Sequence, residues 1–166
     1  VTVSPAAIDR FVEKSPSWYL DLQMIAKYVT GGGARAYPHT APISMIYALH
    51  AGLGVVLEEG LENVQARHKA CGDKLQAGLV DRGFELFAQE GHRLPELPSV
   101  LIPAERLPEG MDEASVRARL LSEYGIEIGG GLGPVAGTVW RIGCMGHTAR
   151  IRNVTLLLAA LDEILD

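Results

Sequence analysis

Thr138-Val139-Trp140-Arg141-Ile142-Gly143 follows closely on the glycine-rich stretch Gly129-Gly130-Gly131-Leu132-Gly133-Pro134. The short apolar, β-branched run reads as a strand with an arginine in its middle. A guanidinium cannot shed its charge, so a partly buried one requires an anionic partner. No carboxylate lies within six residues of Arg141 on either side, so the partner comes from elsewhere in the fold or from a ligand. The planar fork suits a carboxylate gripped bidentately. Two readings stand: an anchor for the carboxylate of an amino or keto acid, and a structural salt bridge to a distant Asp or Glu. Spacing alone leaves both open.

Working outward from this strand, the pattern alternates. Val1–Val3 reads as a strand end, and Ser4-Pro5 opens a short helix in the N-cap and first-turn positions. Ser15-Pro16-Ser17 breaks it, and a helical pattern resumes from Trp18 to Val29. Thr30-Gly31-Gly32-Gly33 is a breaker followed by a loop through His39. Pro42 starts a long helix whose first half is almost wholly apolar, which predicts burial between layers. Gly60 punctuates it, and Leu61–Arg82 reads as an amphipathic helix closed by Gly83.

Beyond Gly83 the elements shorten. Phe84–Ala88, Ser99–Ile102 and Ile126–Ile128 read as strands, and Asp112 caps a helix running to about Tyr124. A last amphipathic helix spans Asn153–Leu165, with Thr148 as its expected N-cap. Strands separated by helices predict a small α/β sandwich. The boundary falls near Gly60, giving expected domains 1–60 and 61–166.

Composition narrows the class. A hydrophobic content of 48% with 21% charged residues describes a folded cytoplasmic protein rather than a disordered one. The net charge of −5 offers no basic footprint for nucleic acid. The longest apolar tract, Pro42–Leu57, carries His50 and two glycines and falls short of a membrane span. Cys71 and Cys144 are too few for a disulfide framework, show no metal spacing, and read as buried free thiols. The start at Val1 reads as the inside of a longer chain.

A second constellation is Arg35-Ala36-Tyr37-Pro38-His39-Thr40-Ala41-Pro42. Two hydroxyls, Tyr37 and Thr40, sit in a loop that runs into a helix N-terminus, where free amides and the helix dipole favour an anion. The plainer reading makes Thr40 an N-cap and Tyr37 a packing aromatic. With the triple glycine and Arg35 nearby, the stretch reads as a phosphate site. It lacks the spacing of a nucleotide-binding loop, so the phosphate need not belong to a nucleotide.

Trp18-Tyr19-Leu20-Asp21-Leu22, Arg35-x-Tyr37-x-His39-Thr40-x-Pro42, Glu59-Gly60-Leu61-Glu62, Gly130-Gly131-Leu132-Gly133 and Arg141-Ile142-Gly143 occur in one order. Together they resemble the class V pyridoxal-phosphate aminotransferases of the alanine–glyoxylate and serine–pyruvate group, over nearly the whole chain. The resemblance implies fold type I: the C-terminal part of the large domain, the interdomain helix, and a small α/β sandwich domain. It implies pyridoxal 5′-phosphate as cofactor and small amino and keto acids as substrates. It also implies a homodimer and an N-terminal part of the same enzyme as partners. Arg141 matches the arginine that binds the substrate carboxylate. Tyr37 and Thr40 match the pair that reaches across the dimer interface to the cofactor phosphate of the other subunit. Pro38 stands where the family usually has a second histidine.

The resemblance also implies an absence. The family's Schiff-base lysine falls upstream of the segment matching Val1, and Lys14, Lys27, Lys69 and Lys74 all read as solvated positions. No catalytic residue is therefore expected in this chain, which alone should be inactive. Two other readings remain: an aminotransferase-like sensor or scaffold without turnover, and a relative of the cysteine desulfurases, for which Cys144 invites comparison. Cys144 reads instead as a structural residue at a strand end. His50 reads as a core histidine on the apolar helix, His68 and His92 as solvent-facing, and His147 as a loop residue. No metal site is expected.

Overall fold

The computed structural model describes residues 2–31 and 37–166. They form six α-helices, α1 (Pro5–Ile8), α2 (Leu22–Thr30), α3 (Ile43–Glu59), α4 (Leu61–Asp81), α5 (Glu113–Tyr124) and α6 (Ile151–Leu165). Four strands are present, β1 (Glu85–Leu86), β2 (Ser99–Leu101), β3 (Gly129–Gly130) and β4 (Val139–Arg141). The chain divides into two units, Val1–Leu53 and Gly54–Asp166.

In the second unit the strands form one antiparallel sheet in the order β1-β2-β4-β3. Val100 lies opposite Trp140, and Ser99 opposite Arg141. Because side chains alternate, Leu86, Val100 and Trp140 share one face, while Ser99, Val139 and Arg141 share the other. Helices α4, α5 and α6 cover the first face, enclosing a core with Leu75, Leu79, Val116, Leu120, Trp140 and Leu161. Trp140 is fully buried there. Its indole Nε1 donates to the Glu113 carboxylate at 3.2 Å. The result is the expected two-layer α/β sandwich, built on an antiparallel sheet.

Local chemistry explains the helix ends. Asp112 Oδ1 accepts from the Ser115 amide at 2.8 Å and caps α5, which Gly125 closes in the left-handed conformation. Gly83, with φ of +83°, ends α4 as anticipated; its amide reaches the Val80 carbonyl and that of Phe84 the Leu79 carbonyl. Elsewhere the boundaries move. Helix α2 starts at Leu22 rather than Trp18, because the Asp21 carboxylate caps the amides of Gln23 and Met24. Thr148 lies in a short 3-10 turn, its hydroxyl bonded to the Met145 carbonyl, and Arg150 holds the N-cap position of α6. The third strand is Gly129–Gly130, not Ile126–Ile128, since those glycines pair with Arg141 and Trp140. The expected strand end at Val1 lies outside the described residues.

Helix α3 departs most from expectation. It has no buried residue, and Met45, Tyr47, Leu49, Val55 and Leu57 are all exposed. The predicted covering layers are not among the described residues. Among those residues no helix is long and apolar enough to cross a membrane.

One ion pair links the end of α4 to α6, and a second lies within α5. Arg82 meets Asp162 through two 2.6 Å contacts, and Arg117 meets Glu113 at 2.7 and 3.1 Å. The Arg117 guanidinium holds the Glu113 carboxyl below the usual carboxylate range, against the opposing effect of burial. A lowered folded-state value stabilises the fold above the ordinary carboxylate pKa, and this stability is lost as pH falls through the folded value. Glu113→Gln is expected to cost about 1.5–3 kcal/mol at neutral pH, as for hydrogen bonds to charged groups. Urea unfolding along an acid series should show the wild-type advantage shrinking as Glu113 becomes protonated. A pH-independent gap would contradict this account.

Candidate functional site

The glycine run before β4 prepares the surroundings of Arg141. A side chain on Gly131 would come within 1.9 Å of the Val135 carbonyl oxygen, so only glycine allows the loop to fold back there. Gly129 and Gly130 leave bare patches on opposite faces of β3. A Cβ on Gly130 would sit 3.4 Å from the Arg117 guanidinium on the helix side, and one on Gly129 would sit 3.4 Å from Arg141 Nη2. Each glycine thus makes room for one arginine.

Arg141 is half-buried on the face of the sheet opposite Trp140. Its Nε donates to the Gly130 carbonyl at 2.8 Å. The ion pairs among the described residues are Arg67–Glu59, Lys69–Asp73, Arg82–Asp162, Arg117–Glu113 and Arg119–Glu123, and none involves Arg141. The distant structural salt bridge entertained from sequence is therefore not formed among these residues. With Nε committed to a carbonyl, the two Nη groups are the edge left to meet a carboxylate.

Tyr37 and Thr40 belong to the first unit, Arg141 to the second. Tyr37 is 57% exposed and its ring meets Tyr28 edge-on at 6.2 Å. Thr40 is exposed, and its hydroxyl makes no hydrogen bond within the described residues, so it does not act as a side-chain N-cap for α3. In the first turn of α3 the Ile43 amide is taken by the Ala41 carbonyl, which leaves those of Ser44 and Met45 beside the positive end of the dipole. Tyr37 and Thr40 precede that terminus in the chain, and hydroxyl donors are of the type that binds a phosphate group. Between them, His39 packs edge-on against Trp18 and tilted against Tyr19, and its Nε2 is buried without a hydrogen-bond partner among the described residues. Arg35 and the glycines Gly32 and Gly33, also read as part of this site, lie outside the described residues.

The remaining candidates resolve differently. Cys71 and Cys144 are buried free thiols, as expected. Burial, reinforced by the neighbouring Cys71, pushes the Cys144 thiol up to about 11. It is a protonated structural thiol at neutral pH, poorly suited to carrying sulfur. His50 is exposed on α3 rather than held in a core, because nothing among the described residues covers that helix. His68 is the opposite case, with 7% exposure. Its Nδ1 lies 2.6 Å from the Val64 carbonyl and therefore carries the proton, leaving Nε2 to accept from the Gly146 amide at 2.9 Å. The adjacent Arg67 donates to the Gly146 and Ala149 carbonyls, so α4 holds the turn after the arginine strand by both sides of Gly146. His147 is exposed, 3.1 Å from Arg150. Among the described residues no cluster of three metal-binding side chains occurs.

No protein-family profile matches the chain. It is 40% identical over 147 residues to the (S)-ureidoglycine–glyoxylate transaminase of Bacillus subtilis, covering 89% of this chain and 34% of the relative. It is 38% identical over 154 residues to the alanine–glyoxylate aminotransferase of Callithrix jacchus, covering 92% and 36%. The crystal structure of an alanine–glyoxylate aminotransferase from Nostoc sp. superposes with a TM-score of 0.81 at 42% identity, over 99% of this chain and 43% of that one. The chain spans about a third of the length of the relatives it matches by sequence.

Proposed function

Because this chain is a homologue of the C-terminal part of class V glyoxylate aminotransferases, with the fold type I architecture, we propose that it forms that part of a pyridoxal-phosphate-dependent transaminase. The enzyme moves an amino group from alanine or serine to glyoxylate or pyruvate. Glyoxylate is the acceptor that the names of the sequence relatives above share, which supports it here. The observation that carries the reading is Arg141, a half-buried guanidinium whose Nε is held by Gly130 and whose Nη edge meets no carboxylate of the described residues.

Pyridoxal phosphate, when bound, supplies the electron sink for breaking the Cα–H bond. The residues of this chain orient and hold. Arg141 grips the substrate carboxylate end-on through both Nη groups, since the Gly130 carbonyl occupies Nε. A carboxylate fixed at two points cannot rotate freely, which sets the direction of the Cα–H bond relative to the cofactor ring. Tyr37 and Thr40 donate their hydroxyls to the cofactor phosphate of a second subunit, with the N-terminus of α3 adding its dipole. The lysine that carries the cofactor and shuttles the proton belongs to the preceding part of the enzyme.

The test is spectroscopic. In the assembled enzyme, alanine or serine added separately should shift the cofactor's visible absorbance, and glyoxylate should restore it. A cofactor band indifferent to every amino acid would point to a sensor or scaffold instead.

A further inference from the structure

His39 lies between the two hydroxyl-bearing residues, and its ring is the anchored part of that segment. The imidazole stands edge-on to Trp18, with centroids 4.5 Å apart and planes at 77°. It tilts against Tyr19 at 4.7 Å and 52°. Both aromatics sit just before α2, where the Ser17 hydroxyl accepts from the Leu20 amide and the Asp21 carboxylate caps the helix. On either side of His39 the backbone is restricted by Pro38 and Pro42, and Pro38 biases Tyr37 towards an extended conformation. Tyr37 and Thr40, by contrast, are exposed. The segment is therefore stiff, held at its centre, and open at its hydroxyls.

The ring nitrogen sharpens this picture. His39 Nε2 is buried and has no hydrogen-bond partner among the described residues. Among the described residues, what the ring supplies is aromatic contact with Trp18 and Tyr19. We propose that His39 is a positioning residue: packed edge-on against Trp18 and tilted against Tyr19, it pins the middle of the segment and presets the Tyr37 and Thr40 hydroxyls for a phosphate. This rests on the reading of those two hydroxyls as phosphate ligands.

The experiment compares two probes on the assembled enzyme, pyridoxal phosphate and pyridoxal, which lacks the phosphate. Loss of preorganisation in His39→Ala should weaken pyridoxal phosphate about tenfold and pyridoxal by less than about threefold. His39→Phe keeps an aromatic ring without the nitrogen and should stay within about threefold of wild type for both probes. Should His39→Ala fail to fold, Trp18→Leu removes one of the two aromatic contacts and should give the same phosphate-selective loss. Equal weakening of both probes, or no weakening, would overturn the proposal, because a merely structural role does not discriminate between them. A His39→Phe enzyme as impaired as His39→Ala would also overturn it, since the nitrogen would then be what matters. Tyr37→Phe and Thr40→Val serve as controls for the underlying reading. If they show no phosphate-selective loss, both ideas fall; if they show it while His39→Ala binds normally, the positioning role alone falls.

Discussion

Arg141→Lys is expected to lower kcat/KM for alanine by about tenfold or more in the assembled enzyme, with cofactor binding unchanged. Lysine keeps the charge but loses the fork, so the carboxylate is held at one point and the reacting bond is free to turn. Removing one partner of a desolvated, hydrogen-bonded charge pair costs about 2–5 kcal/mol, which sets the upper range of the effect. Lysine also cannot supply the Nε contact to the Gly130 carbonyl while presenting two further donors in a plane. The comparison substrate is an amine without a carboxylate, which has nothing for Arg141 to grip. Its turnover should change far less than that of alanine. If Arg141 is only structural, the substitution should depress both substrates alike and lower thermal stability. Equal losses would therefore remove the basis for assigning substrate binding to this residue.

The sandwich was legible in the sequence where the cause is local. Asp112, Gly83 and Ser4 act within one turn of their own position, and each does what its type predicts. Segments whose fate depends on distant pairing were less legible. Ile126–Ile128 has the residue types of a strand, yet pairing begins at Gly129, because the bare glycines are what β4 accepts beside Arg141 and Trp140. Trp18 fits a helical period, but the Asp21 carboxylate competes for the amides that a longer helix would use.

The histidines show the same division. His68 sits on a helix with a polar pattern and reads as solvent-facing; it is buried by a turn 78 residues away whose amide it accepts. His50 sits among apolar neighbours and reads as core, but a core needs a second surface, and the described residues provide none for α3. Arg141, Tyr37 and Thr40 stand out in the sequence by residue type and motif order. The packing of His39 does not, because it depends on Trp18 and Tyr19 folding back across the intervening helix.

Helix α3 carries the other large expected effect. Ile43, Met45, Ile46, Tyr47, Leu49, Leu53, Val55 and Leu57 are exposed around a helix of 17 residues with no buried position. A helix apolar on all sides is stable in water only when covered, and an exposed apolar surface of this extent marks an interface. In the proposed enzyme the cover comes from the preceding part of the chain and a second subunit. Each large apolar side chain buried there contributes about 1.5–3 kcal/mol, while an unpaired charge placed in the same position costs several kcal/mol more. Ile46→Asp combined with Leu53→Asp is therefore expected to dissociate the assembled enzyme. Since Tyr37 and Thr40 precede this helix and, on the proposed function, serve the other subunit, dissociation should also release cofactor. Sedimentation velocity reads the assembly, and cofactor retained after gel filtration reads the site. A doubly charged variant that sediments as the wild type and keeps its cofactor would show that α3 faces solvent in the enzyme as well, and the assignment of Tyr37 and Thr40 to a partner's site would fail with it.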